Sequence, residues 1–155
     1  MPEICFILDR LRSAHNVGNI FRIAEALQAR IVCCGYTPAP PHPKLAKTAM
    51  GTDLTVPCQV MPTAAEAIAA LRLAGYQQIL AAEDMPGSVF AWEMEYRFPL
   101  AVVFGNEALG VSPEALALVD GVIGLPMLGE KASINVGNAA AAIGYAILYR
   151  SGGVK

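Results

Sequence analysis

Apolar residues fall in short blocks, separated by amphipathic stretches and turn-forming loops. Ile4 to Leu8 is an unbroken apolar run ending at Asp9, and it reads as a buried strand. A polar segment, Arg10 to His15, follows. Val17, Ile20, Phe21, Ala24 and Leu27 then recur at helical spacing. They predict an amphipathic helix over residues 16–28, with Asn16 as a plausible cap. Ile31 to Cys34 repeats the strand pattern. It runs into Gly35 to Pro43, a proline-rich loop expected to hold no regular structure. Leu54 to Pro57 suggests another short strand.

Thr63-Ala64-Ala65-Glu66 has the form of a capping box, and Gly75 supplies a stop, so residues 64–74 are expected to be helical. Gln78 to Ala82 and Leu100 to Phe104 read as buried strands. Ser112-Pro113 places a cap before a proline at the first helical position, which opens a short helix. Residues 121–125 complete the strands, and residues 134–149 form a last, alanine-rich helix. Strands alternating with helices imply a single α/β domain over residues 1–155, built on a mostly parallel sheet with helices on both faces. In such sheets ligands bind beyond the carboxyl ends of the strands.

Composition changes this picture little. Hydrophobic residues make up 55% of the 155 and charged residues 15%, which excludes a disordered chain. The longest apolar candidate, Asn138 to Leu148, is shorter than the ~18 residues of a membrane span, so no membrane segment is expected. The start has no basic region followed by a hydrophobic one, so no signal peptide is expected. Cys5, Cys33, Cys34 and Cys58 form no Cys-x-x-Cys pair and read as buried thiols of a cytoplasmic protein. His15 and His42 are too few and too scattered for zinc, so no metal is expected. The net charge of −2 argues against a protein that coats nucleic acid by bulk charge.

Three loops carry candidate chemistry. The first, Arg12 to Arg22, sets Asn16, Asn19 and Arg22 three apart beside a helix N-terminus, where Gly18 leaves room for a ligand or another backbone. It also reads as an ordinary capped helix. The second empties the Leu100 to Phe104 strand into Gly105-Asn106-Glu107, followed by Gly110. It is neither a dinucleotide loop nor a Walker sequence, and a plain strand-to-helix turn would look similar. In the third, Leu125 to Val136, Ser133 could cap the last helix, or the loop could wrap an adenine-like ligand against Leu125, Met127 and Leu128.

Taken together, in this order and at these positions, the three loops resemble the signature motifs of the TrmH (SpoU) branch of the SPOUT methyltransferases. The resemblance covers nearly the whole chain. It implies a C-terminal deep trefoil knot, which no periodicity could predict. It implies S-adenosyl-L-methionine as cofactor, held by Gly105, Asn106, Gly110, Leu125, Met127, Leu128, Ser133 and Asn135, with the strand end at Ala81 and Ala82. It implies a homodimer that methylates a ribose 2′-hydroxyl of tRNA or rRNA. The small residues of the last helix, Ala139 to Ala142, Gly144 and Ala146, suit a dimer interface. The catalytic set carries over as Asn16, Arg22, Glu107, Ser133 and Asn135.

Guanidinium holds its proton too tightly to be a base at neutral pH. Arg22 is better read as a clamp on a phosphate and on developing alkoxide charge. Arg10, Arg12, Arg22, Lys44 and Lys47 form the candidate RNA-binding face. Two other readings stay open: a non-catalytic RNA-binding module on the same fold, and a flavodoxin-like nucleotide-binding protein.

Overall fold

The computed structural model describes residues 2–153. At its centre lies strand β1 (Ile4–Asp9), buried along its whole length. Ile4, Phe6 and Leu8 join one core while Cys5 and Ile7 join another, because successive strand side chains point to opposite faces. A strand covered on both faces is apolar on both, which is why Ile4 to Leu8 show as a run and not as an alternation, with the buried Asp9 at its carboxyl end held by hydrogen bonds.

Six further strands complete the sheet: β2 (Arg30–Cys34), β3 (Cys58–Met61), β4 (Gln78–Ala82), β5 (Val89–Phe90), β6 (Leu100–Gly105) and β7 (Gly121–Gly124). Their order is β3-β2-β1-β6-β4-β7-β5. All six ladders between them are parallel. Helices α1 (Ala14–Ala26), α2 (Pro43–Ala49) and α5 (Val136–Arg150) cover one face, where Val17, Phe21, Leu45 and Ile143 meet Phe6 and Phe104. Helices α3 (Ala64–Leu73) and α4 (Pro113–Leu116) cover the other, where Ile68, Leu71 and Ala115 meet Ile7 and Val103.

Several local expectations are corrected. Helix α1 begins two residues early, capped by Ser13, whose Oγ accepts the Asn16 N–H at 3.1 Å. Asn16 therefore lies inside the first turn, with its side chain free for other work. Helix α5 is capped by Asn135, not Ser133: Asn135 Oδ1 accepts from Gly137 N at 2.8 Å and Asn138 N at 3.3 Å. The proline-rich loop ends one residue sooner than expected, because Pro43 opens α2 at a position where a missing N–H costs nothing. Residues 52–54 form a 3-10 turn, and the strand expected at 54–57 begins only at Cys58.

Gly18 makes room for a backbone, not a ligand. A Cβ there would strike Leu45 O and Thr48 Oγ1 of α2. Gly144 likewise faces inward, where a Cβ would strike Leu27 and approach Phe6. The small residues of α5 thus serve packing within the chain at Ala140 and Gly144, which are buried, and leave Ala142 exposed.

Candidate active site

The strand order reverses between β1 and β6, since the chain leaves β1 for β2 on one side while β6 sits on the other. A reversal of this kind opens a crevice at the carboxyl ends, where ligands bind in open α/β sheets. The loop leaving β1 and the loop leaving β6 meet there. Glu107 Oε1 accepts the Arg12 N–H at 2.9 Å, and Oε2 accepts the Ser13 N–H at 3.1 Å. A carboxylate at this spot also favours the positive end of the α1 dipole. Burial pushes the Glu107 carboxyl up, but the N–H donors of Arg12, Glu107 and Ser13 and the Asn16 side chain hold it below the usual range.

The β6 loop is fixed at several further points. Asn106 Oδ1 accepts from Ala108 N and Leu109 N, each at 2.8 Å. Asn106 Nδ2 donates to Arg10 O at 2.7 Å and Tyr36 Oη at 3.0 Å. The Asn106 side chain is therefore consumed by its own loop, Arg10 and Tyr36, and its neighbouring backbone is left for a ligand. Asp9, buried at the end of β1, accepts from Ser112 N at 2.8 Å, and Glu83 accepts from Val111 N. Gly105 must be glycine, since a Cβ there would strike the backbone of Gly110 and Val111.

The third loop reaches the same place. Asn135 Nδ2 donates to Asn16 Oδ1 at 3.0 Å, tying the start of α5 to the start of α1. Between the loops lies a cavity of about 470 Å³. Asn16, Glu107, Ser133 and Asn135 all line it. So do Ala82, Gly105, Asn106, Gly110, Leu125 and Met127. Phe104, Ile123 and Ile143 add apolar wall.

Three expected site residues lie elsewhere. Ala81 points into the α3 side of the sheet, because the pleat sends it opposite to its neighbours. Leu128 is 98% exposed. Arg22 sits in a second hollow of about 460 Å³, between α1 and α5, with Asn19, Ile23, Asn138 and Tyr145. Residues three apart on a helix drift by about 60° per step, so Arg22 lies roughly 120° round the axis from Asn16. Two charged lining residues, Glu83 and Asp84, are absent from the set expected from sequence. They follow a buried strand as Glu107 does, and that position was the available signal.

Of the candidate RNA contacts, Arg12, Lys44 and Lys47 are exposed. Arg10 is partly committed: its Nε donates to Asp9 Oδ1 at 3.2 Å.

Residues 3–145 match the SpoU rRNA Methylase family. The chain belongs to that family. It is 37% identical to a tRNA (guanosine(18)-2′-O)-methyltransferase of Thermus thermophilus, over 92% of this chain and 72% of the relative. It is 31% identical to a 23S rRNA (uridine(2479)-2′-O)-methyltransferase of Streptomyces viridochromogenes, over 90% of this chain but half of the relative. The solved SpoU methyltransferase AviRb from the same Streptomyces superposes with a TM-score of 0.85 at 30% identity, covering 97% of this chain and 60% of that one. An AdoMet-bound rRNA methyltransferase from Sinorhizobium meliloti gives a TM-score of 0.87 at 26% identity, over 95% of this chain and 56% of that one. These SpoU relatives extend beyond the segment they share with this chain.

Proposed function

We propose that this SpoU family protein transfers a methyl group from S-adenosyl-L-methionine to a ribose 2′-hydroxyl of tRNA or rRNA. The observation that carries this reading is the convergence of all three signature loops on one cavity at the carboxyl ends of β6, β4 and β7. The relatives' activities on tRNA and 23S rRNA support it.

The residues fit the cofactor. A volume of about 470 Å³ lies within the range of small-ligand sites. Ile123, Leu125, Met127 and Ile143 offer apolar surface to an adenine ring. Glu83, Asp84 and Glu107 supply carboxylates, and no lysine or arginine among the described residues lines the cavity. That charge balance suits a cationic sulfonium and disfavours the phosphate of a flavin nucleotide. When bound, the cofactor supplies an electrophilic methyl group.

The chain's own part is alignment and charge. The apolar wall excludes water from the methyl donor. Asn16, Ser133 and Asn135 present amide and hydroxyl groups to orient the ribose. Glu107 holds the start of α1 in place instead of touching the reacting atoms. Arg22 clamps the adjacent phosphate and stabilises the oxygen as it loses its proton to solvent. Its distance from the cavity within one chain makes a homodimer part of this reading. Pairing across the α1 and α5 face, where Tyr145 is 52% and Tyr149 80% exposed, would carry Arg22 of one copy to the other copy's cavity. We also take the loops at 105–112 and 125–135 as the knot expected from the family, and the cytoplasm, where its four free thiols stay reduced, as its location.

Methyl-labelled cofactor incubated with unfractionated tRNA and with ribosomal RNA tests the reading. The expected product is label in RNA at an alkali-resistant linkage. Absence of both cofactor binding by calorimetry and label transfer would sink it.

A further inference from the structure

Tyr36 belongs to none of the three loops, yet it stands at the rim of the site. It lies just beyond β2, at the carboxyl edge of the sheet, and is 55% exposed. That exposure is not looseness. Its Oη receives the Asn106 Nδ2 hydrogen at 3.0 Å, and Asn106 is buried. On one side Gly35 turns at φ +64°, a conformation that favours glycine. On the other, the buried Thr37 hydroxyl accepts the Leu11 N–H at 3.0 Å and lies 2.7 Å from Cys34 O. The ring is therefore presented to solvent on a fixed mount, with little freedom left to lose on binding. Asn106, which holds Tyr36, precedes Glu107, which holds Arg12 N, so Tyr36 and Arg12 flank one short segment of the cavity wall.

We infer that Tyr36 is a stacking platform for an RNA base adjoining the nucleotide whose ribose enters the cavity. This rests on the proposed RNA methyltransferase activity. Single-stranded RNA is recognised through splayed bases stacked on aromatic rings. Charge decides how much this matters here. The chain carries a net charge of −2 and its cavity is lined by carboxylates, so phosphate attraction is confined to a few rim cations. Stacking does not depend on charge, and removing one aromatic platform weakens binding roughly 5- to 150-fold.

The test compares Tyr36→Ala, Tyr36→Leu, Tyr36→Phe and Tyr36→Trp. RNA affinity is read by fluorescence anisotropy with labelled unfractionated tRNA and ribosomal RNA, KM and kcat by methyl transfer, and cofactor affinity by calorimetry. Alanine and leucine should weaken RNA binding and raise KM by that factor, with kcat and cofactor affinity unchanged. Phenylalanine and tryptophan should stay within a few-fold of wild type. The loss in Tyr36→Ala should be the same at low and high salt, whereas Arg12→Ala should flatten the salt dependence. The inference is overturned if leucine matches wild type, if tryptophan is as damaging as alanine, or if cofactor affinity falls in parallel. A wild-type protein that binds RNA but transfers no methyl group overturns the activity alone, because stacking is still read from the affinities.

Discussion

Asn135 and Asn16 are joined by a side-chain hydrogen bond of 3.0 Å that spans 119 residues of chain. The same Asn135 caps α5 through its Oδ1. One amide group thus does two separable things. Asn135→Ala removes both and should cost about 1 kcal/mol of stability through the lost cap, lowering Tm by roughly 3 °C. Asn135→Asp keeps a good cap acceptor but has no N–H for Asn16. It should melt like wild type while methyl transfer falls. Thermal denaturation alongside turnover separates the two roles, and equal turnover in Asn135→Asp and wild type would dismiss the Asn16 contact.

Glu107 predicts a pH dependence with a definite sign. Its folded carboxyl is held below the ordinary value despite burial, by the backbone donors of Arg12, Glu107 and Ser13 and by Asn16. The stability it contributes is complete above the unfolded pKa, about 4.3, and is lost as pH falls through the lower folded value. The difference in Tm between wild type and Glu107→Gln should be constant near neutrality and shrink in acid. A difference that grew on acidification would contradict this account.

Gly18→Ala should destabilise the protein by about 1–3 kcal/mol, because beyond the Thr48 hydroxyl, which could rotate, the new methyl meets Leu45 O in the α2 backbone, which could not. Urea unfolding measures it. A neutral result would mean that α1 and α2 separate easily.

Leu125 and Met127 line the cavity, whereas Leu128 is 98% exposed. Leu125→Ala and Met127→Ala should each weaken cofactor binding roughly ten-fold, and Leu128→Ala should leave it alone. Calorimetry reads all three.

Arg22→Ala should abolish methyl transfer without changing cofactor affinity, since Arg22 lies outside the cavity. Mixing it with Asn135→Ala should restore part of the activity, because in the mixed dimer one site draws an intact Arg22 and an intact Asn135 from different copies. No recovery on mixing, with subunit exchange verified, would place the whole reaction within one chain.

The fold was legible where burial is two-sided. Strands β1, β2, β4 and β6 match their expected bounds within about a residue because nearly all their positions are buried and apolar. Strand β3 escaped because it is an edge strand, with Gln59 and Val60 exposed, and β5 is only two residues long. Thr63 and Ser112 cap α3 and α4 as expected, whereas the caps of α1 and α5 differ for another reason. Ser13 and Asn16, like Ser133 and Asn135, are both cap-forming types within three residues, and spacing cannot choose between them. In the site, the convergence of the three loops was legible only through the family resemblance. Glu107's part as a brace for α1 was not, because it depends on two N–H groups 94 and 95 residues away. The knot proposed for the loops at 105–112 and 125–135 would belong to the path of the chain, which neither periodicity nor composition records.

Helix α1 carries Asn16 at the cavity and Arg22 in the second hollow, about 9 Å apart along one rigid axis. It is gripped at its start by Glu107 and Asn135, and along its flank by α2. A tilt of that axis therefore registers at both ends at once. In the proposed homodimer, thermodynamic linkage would then be reciprocal: whatever factor the methyl donor added to self-association, self-association would return to the donor's affinity.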